Sequence, residues 1–165
     1  MFKVVLAAIM WLHPSPNARN LAKIVVKEVK RRACSSSSKK TCVSIHPARI
    51  LTAIQHETGG TWRPRLRSRT NDYGLMQLHV GRTTHVKYQG REKLLYDPKL
   101  NIYLGTRSLM YWKRYHERKC QGKDHHWISH YNQGHRVYRK GYQTRHLKIF
   151  KALIERFWKP ADPVT

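Results

Sequence analysis

The chain has 165 residues, 40% of them apolar and 10% aromatic, which suits one domain with a core and excludes wholesale disorder. Lys and Arg number 33 against 9 Asp and Glu, a formal charge of +24. That field favours polyanionic partners (nucleic acid, anionic wall polymer, membrane surface), but the basic residues are scattered and form no dedicated nucleic-acid stripe.

The N-terminus reads Met1-Phe2-Lys3, an apolar run Val4 to Leu12, then His13-Pro14-Ser15-Pro16-Asn17-Ala18. This has the plan of a secretory signal peptide over residues 1–18, and is too short to span a bilayer. The alternative is a helix packed on the domain. Asn17 can cap a helix from Ala18 to about Ala33 with Leu21, Ile24, Val25 and Val29 on one face. A Ser/Lys loop follows, and Cys34 and Cys42 on either side of it can close a short disulfide in an oxidising compartment.

His46-Pro47 opens the next helix, with proline in the first turn and a buried stripe of Ile50, Leu51, Ala53 and Ile54. Glu57 lies two turns after Ile50, so it falls near the inward face, and Gly59-Gly60 ends the helix. Thr61 to Asn71 is an arginine-rich loop. Gly74 to Thr84 reads as a short helix with Leu75 and Leu78 inward. Asp97-Pro98 caps a long helix, about Lys99 to Arg118, with a broad apolar face. Trp127 to Tyr131 begins a short helix that stops at Asn132-Gln133-Gly134. A last helix, about Thr144 to Trp158, buries Leu147, Phe150, Leu153, Ile154 and Phe157. No alternating strand stands out, so the expected fold is all-α: one helical domain over 19–160 and a tail over 161–165.

A glutamate on the apolar side of a helix end is costly when ionised, and burial raises its pKa toward that of a neutral-pH general acid. The plainer reading of Glu57 is an ion pair with Arg63 or Arg65. Asp72, its near neighbour in sequence, suits a helix cap better than a catalytic partner. His126 and His130 are four apart, but Trp127 stands where an HExxH motif needs glutamate and no third ligand is obvious. Packing histidines are the expectation, with no metal and no cofactor.

Glu57-Thr58-Gly59-Gly60, Ser68 and Gly74-Leu75-Met76-Gln77 resemble the signature of the soluble lytic transglycosylases and goose-type lysozyme relatives. Asp97-Pro98 with Asn101-Ile102 and Gly105 resembles that family's D-P-x-x-N-I-x-x-G helix. Ile128 to Gly134 resembles its A-x-x-Y-N-x-G segment. The three motifs occur in the family's order, and Asn71 to Gln77 looks most like its small members from secretion systems, conjugative plasmids and phages.

The resemblance implies a lysozyme-like helical globule with a sugar-binding cleft. Glu57 would be the lone catalytic acid and base, cutting between N-acetylmuramic acid and N-acetylglucosamine to leave a 1,6-anhydro product. The substrate's acetamido group would replace an enzyme nucleophile. Ser68, Met76, Gln77, Tyr131 and Asn132 would contact substrate, Tyr131 with its hydroxyl near the acid or the acetamido group; core packing is the alternative for Met76. The chain departs from the pattern at Thr58, where Ser is usual, in the length and arginine content of the loop, and at His79. The implied partner is peptidoglycan, with net charge adding adsorption to anionic envelope polymers, in the periplasm, outside the cell or on a virion. The competing functions are a non-enzymatic basic binder of nucleic acid or wall polymer, and a hydrolytic lysozyme on the same fold.

Overall fold

The apolar periodicity that points to a helix after His46 gives helix α3, Pro47–Glu57, in the computed structural model, which describes residues 1–31, 45–81, 85–121, 123–135 and 141–158. The Cys34–Cys42 pairing and the 161–165 tail lie outside the described residues. Pro47 occupies the first helical position, and His46 Nδ1 caps it by accepting from the Ala48 N–H at 3.2 Å. Ile50, Leu51, Thr52, Ala53 and Ile54 are all fully buried. Five consecutive buried residues close a full turn, so α3 is enclosed on every side at its middle, and the buried Thr52 hydroxyl donates back to Ala48 O at 2.7 Å.

Among the described residues, five other helices complete the fold. They are α1 (Phe2–Leu12), α2 (Ala18–Arg31), α4 (Pro98–Lys119), the single turn α5 (Ser129–Gln133) and α6 (Gly141–Phe157). The expectation of an all-helical globule holds, with one addition. Where a short helix was expected after Gly74, a two-stranded antiparallel hairpin forms instead. Its strands are β1 (Asp72–Tyr73) and β2 (Leu78–His79), with Asp72 opposite His79. The reason is local: Asn71, Gly74 and Gln77 all take positive φ, at 62°, 78° and 43°, which no helix tolerates. Leu75 and Leu78, expected inward, are nonetheless buried, as are Met76 and Val80. Asp72 therefore caps no helix; it opens a strand.

Asp97 caps α4 by accepting from the Leu100 N–H at 2.6 Å, with Pro98 next to it. One turn on, Asn101 is fully buried and binds three backbone groups outside its own helix. Its Nδ2 donates to Tyr73 O at 2.8 Å and Leu95 O at 2.9 Å, and its Oδ1 accepts from Met76 N at 2.8 Å. Gly105, another turn along, leaves room for Met76, since a Cβ there would overlap the Met76 side chain. A Cβ on Gly74 would meet the Asn101 amide and the Leu95 carbonyl. The spacing of Asn101 and Gly105 thus fastens the hairpin turn to α4.

The apolar run near the N-terminus is helix α1, which packs on α2, α3 and α6. Val5, Ala8 and Ile9 are fully buried, and His13 beyond it stacks on Trp62 with ring centroids 5.9 Å apart. No helix among the described residues is long and apolar enough to cross a membrane. Ile9→Ala should lower the unfolding free energy by about 2–5 kcal/mol, as for other large-to-small changes in a packed core. Urea titration of the full chain checks this, and an unchanged midpoint would mean that α1 lies outside the folded unit.

Candidate active site

Helix α3 ends at Glu57 because the chain turns sharply after it. Thr58 is buried, its hydroxyl donating to Ile54 O at 2.7 Å and accepting from the Trp62 N–H at 3.2 Å. The hydroxyl that Thr58 shares with serine is thus spent on capping the helix and anchoring Trp62. Gly59 and Gly60 follow with φ of 58° and 82°, and the chain leaves α3 with Glu57 at the floor of a cleft.

That cleft has a volume of about 490 Å³, within the usual range for ligand pockets. Glu57, Asp72, Gln77, Tyr131 and Asn132 line it together. Met76 and Ser68 do not. The Met76 side chain is fully buried beside Gly105, and only its backbone serves the site. Ser68 donates to Asp72 Oδ2 at 2.5 Å and accepts from the Asp72 N–H at 3.0 Å, so it shapes the loop behind the cleft. Gln77 lines the cleft, but its amide N–H groups are engaged with Gly74 O at 2.7 Å and Leu66 O at 3.4 Å. Its Oε1 is what it can offer a ligand.

Glu57 makes no ion pair among the described residues, so the plain reading of an arginine partner does not apply. Its partner is Tyr142, whose hydroxyl donates to Glu57 Oε1 at 2.6 Å. Desolvation pushes the Glu57 carboxyl up to about 7; the Tyr142 hydrogen bond opposes the rise and the Asp72 charge adds to it. At neutral pH it is close to half protonated. That is the condition under which one carboxyl can give up a proton and later take one back.

The hydroxyl bonded to Glu57 is that of Tyr142, while Tyr131, near enough to feel the Glu57 charge, donates to Met76 O at 2.8 Å. Sequence reasoning missed Tyr142 because it started the last helix three residues late. The ring is buried at the beginning of α6, edge-on to His56 with centroids 4.4 Å apart. Burial and the Glu57 charge hold both tyrosines well above the usual phenol range, so both act as donors.

Asp72 is the second carboxylate in the cleft. Its Oδ2 accepts from the hydroxyls of Ser68 and Thr70, and its Oδ1 lies 2.9 Å from His79 Nδ1. His79, at the position where the chain departs from the family pattern, is therefore half of an exposed pair with Asp72.

The two histidines four apart in sequence turn to different partners. His126 Nδ1 accepts from the Ile128 N–H at 3.1 Å, whereas His130 turns toward His116, Cys120 and His125.

A raised-pKa glutamate at the floor of a cleft in a helical globule suits acid–base cleavage of a glycosidic bond. The family described as Transglycosylase SLT domain matches residues 36–153, well over half of the chain, and the chain belongs to that family. Membership brings with it a transglycosylase type of activity directed at peptidoglycan. No curated protein and no solved structure matches the chain.

Two substitutions should move the pH dependence in opposite directions. General acid catalysis needs Glu57 protonated, so kcat/KM should fall as pH rises through about 7. Tyr142→Phe removes the hydrogen bond that lowers the Glu57 pKa and should shift this alkaline limb upward. Asp72→Asn removes a charge that raises it and should shift the limb downward. pH–rate profiles on purified peptidoglycan check both, and shifts of the same sign would contradict the electrostatic account.

Proposed function

We propose that the protein is a lytic transglycosylase that cuts the β-1,4 bond between N-acetylmuramic acid and N-acetylglucosamine, with Glu57 as its single acid and base. The observation that carries this reading is the state of Glu57: a carboxyl raised to about 7, hydrogen-bonded by Tyr142 and open to the cleft.

In the first step Glu57 gives its proton to the glycosidic oxygen as the C1–O bond of the muramoyl residue breaks. The substrate's acetamido oxygen stabilises the cationic C1. In the second step ionised Glu57 takes the proton of the muramoyl C6 hydroxyl while O6 bonds to C1. No water is consumed, and the enzyme ends with its proton restored. Tyr142 supports the ionised form between the steps, because its hydroxyl donates to the carboxylate. Asn132 and the Gln77 Oε1 are available to hold the sugars, and Tyr131 braces the Met76 carbonyl beneath them.

The net charge of +24 favours adsorption to anionic envelope polymers, an attraction that salt weakens. The setting is the periplasm or the cell exterior, where peptidoglycan is reached. Cell-wall remodelling, secretion-system assembly, conjugation and phage entry all use the same cut.

One observation favours a second reading. Asp72 lines the same cleft, and a carboxylate pair is what a hydrolytic lysozyme uses. Against it, Asp72 already accepts from two hydroxyls and meets His79, which leaves it poorly suited to deprotonate a water.

Product mass separates the two readings. Wild-type digests of purified peptidoglycan should yield fragments one water lighter than lysozyme products. Glu57→Gln should release none, and Asp72→Asn should keep releasing the anhydro fragments. Reducing-end fragments that vanish in Asp72→Asn would establish hydrolysis instead, and no release by folded wild type would leave only a binding role.

A further inference from the structure

Four side chains that the cleft chemistry does not use converge at the end of α4. His116 and Cys120 are four residues apart on the last turn, so they share a face. The following loop returns His125 to that face, and α5 brings His130. One ligand atom from each of the four lies within 4.8 Å of every other.

The three separations from His130 have the size of metal-tetrahedron edges. His130 Nε2 lies 3.2 Å from His125 Nε2, 3.5 Å from His116 Nδ1 and 3.6 Å from Cys120 Sγ. Zinc bonds of about 2.0–2.1 Å to nitrogen and about 2.3 Å to sulfur give tetrahedral edges of roughly 3.3 Å between nitrogens and roughly 3.6 Å from nitrogen to sulfur.

The surroundings prepare His130 as a ligand. It is almost wholly buried, and its Nδ1 lies 2.7 Å from Gly134 O. Donation to that carbonyl places the ring proton on Nδ1 and leaves the Nε2 lone pair facing the other three side chains. Trp112 stacks on the ring with centroids 5.6 Å apart, and Tyr115 meets it edge-on at 5.2 Å. Cys120 is a free, buried thiol.

We propose that His116, Cys120, His125 and His130 form a zinc site that ties the end of α4 to α5. The donor set is three imidazoles and one thiolate with no oxygen, which suits zinc and excludes magnesium and calcium. Binding converts the Cys120 thiol to a zinc thiolate with release of its proton. Four protein ligands fill the coordination sphere, so the metal is structural. Its position gives it a task. His130 and its neighbour Tyr131 both line the cleft that holds Glu57, and the described residues linking α4 to α5 carry no helix or strand of their own. The zinc fixes that wall of the cleft. The site stands independently of which glycosidic product forms.

The test is metal binding by the full chain, stripped with a chelator and titrated with Co²⁺ as a spectroscopic probe, then with Zn²⁺ by competition. The expected result is about one ion per chain, with intense visible absorption of tetrahedral cobalt and a thiolate-to-cobalt charge-transfer band. Cys120→Ser should remove that band, and His125→Asn should weaken binding by more than the roughly 100-fold that losing an outer-shell partner can cost. The double variant Cys34→Ser/Cys42→Ser should behave as wild type, and zinc should raise the wild-type melting temperature. If Cys120→Ser does not fold, the His125→Asn and wild-type spectra carry the test. The proposal is overturned if folded wild type binds no cobalt, binds it without a charge-transfer band, or loses it in the Cys34/Cys42 variant.

Discussion

The buried amide of Asn101 holds together the parts of the chain that form the cleft. It takes one hydrogen bond from the hairpin turn and gives two, to the strand before the turn and to the segment leading into its own helix. All three partners are backbone groups in a fully buried setting, where leaving one unmet costs about 1–3 kcal/mol. An aliphatic residue at this position would strand all of them. The close approach of Met76 to Gly105 completes the join, with no Cβ between turn and helix. The hairpin is only two residues per strand and could not stand alone in water. It exists because α4 satisfies it, and the Tyr131 hydroxyl on the Met76 carbonyl secures its other side.

Opposite this clamp, α3 delivers a carboxyl that the protein environment keeps from ionising freely. The helix is buried from Ile50 to Ile54, and its last residue, half-buried, opens onto the cleft. Two neighbours then set the balance. Asp72 adds to desolvation in disfavouring the charged form, Tyr142 favours it, and desolvation is the largest of the three. The result is a group that can exist in either state near neutrality, so one carboxyl can serve where most glycosidases need two.

Much of this was legible in the residues. The period of Ile50, Leu51 and Ile54 placed Glu57 at the inner end of a buried helix, and Asp97-Pro98 marked the start of α4 to within a residue. The hairpin was not legible, because Leu75 and Leu78 have the spacing of a helix and the positive φ of Gln77 leaves no trace in residue type. Asp72 passed for a cap for the same reason. Tyr142 escaped because no short motif surrounds it; its contact with Glu57 spans 85 residues. The gathering of His116, Cys120, His125 and His130 was not legible because His126 and His130 have the helical spacing, whereas the chain's reversal after Cys120 brings in His125.

The two halves of the cleft therefore rest on different devices. One wall is fixed by an amide and a glycine on α4, the other by side chains that gather around His130 at the end of the same helix. Between them lies Glu57, the group whose protonation the proposed chemistry depends on. Its titration can be observed directly, by carbon NMR of side-chain-labelled glutamate in the wild-type protein, with the resonance assigned by its loss in Glu57→Gln. A midpoint near 7 is predicted. A midpoint near 4.5, the ordinary value for a solvated glutamate, would contradict the account.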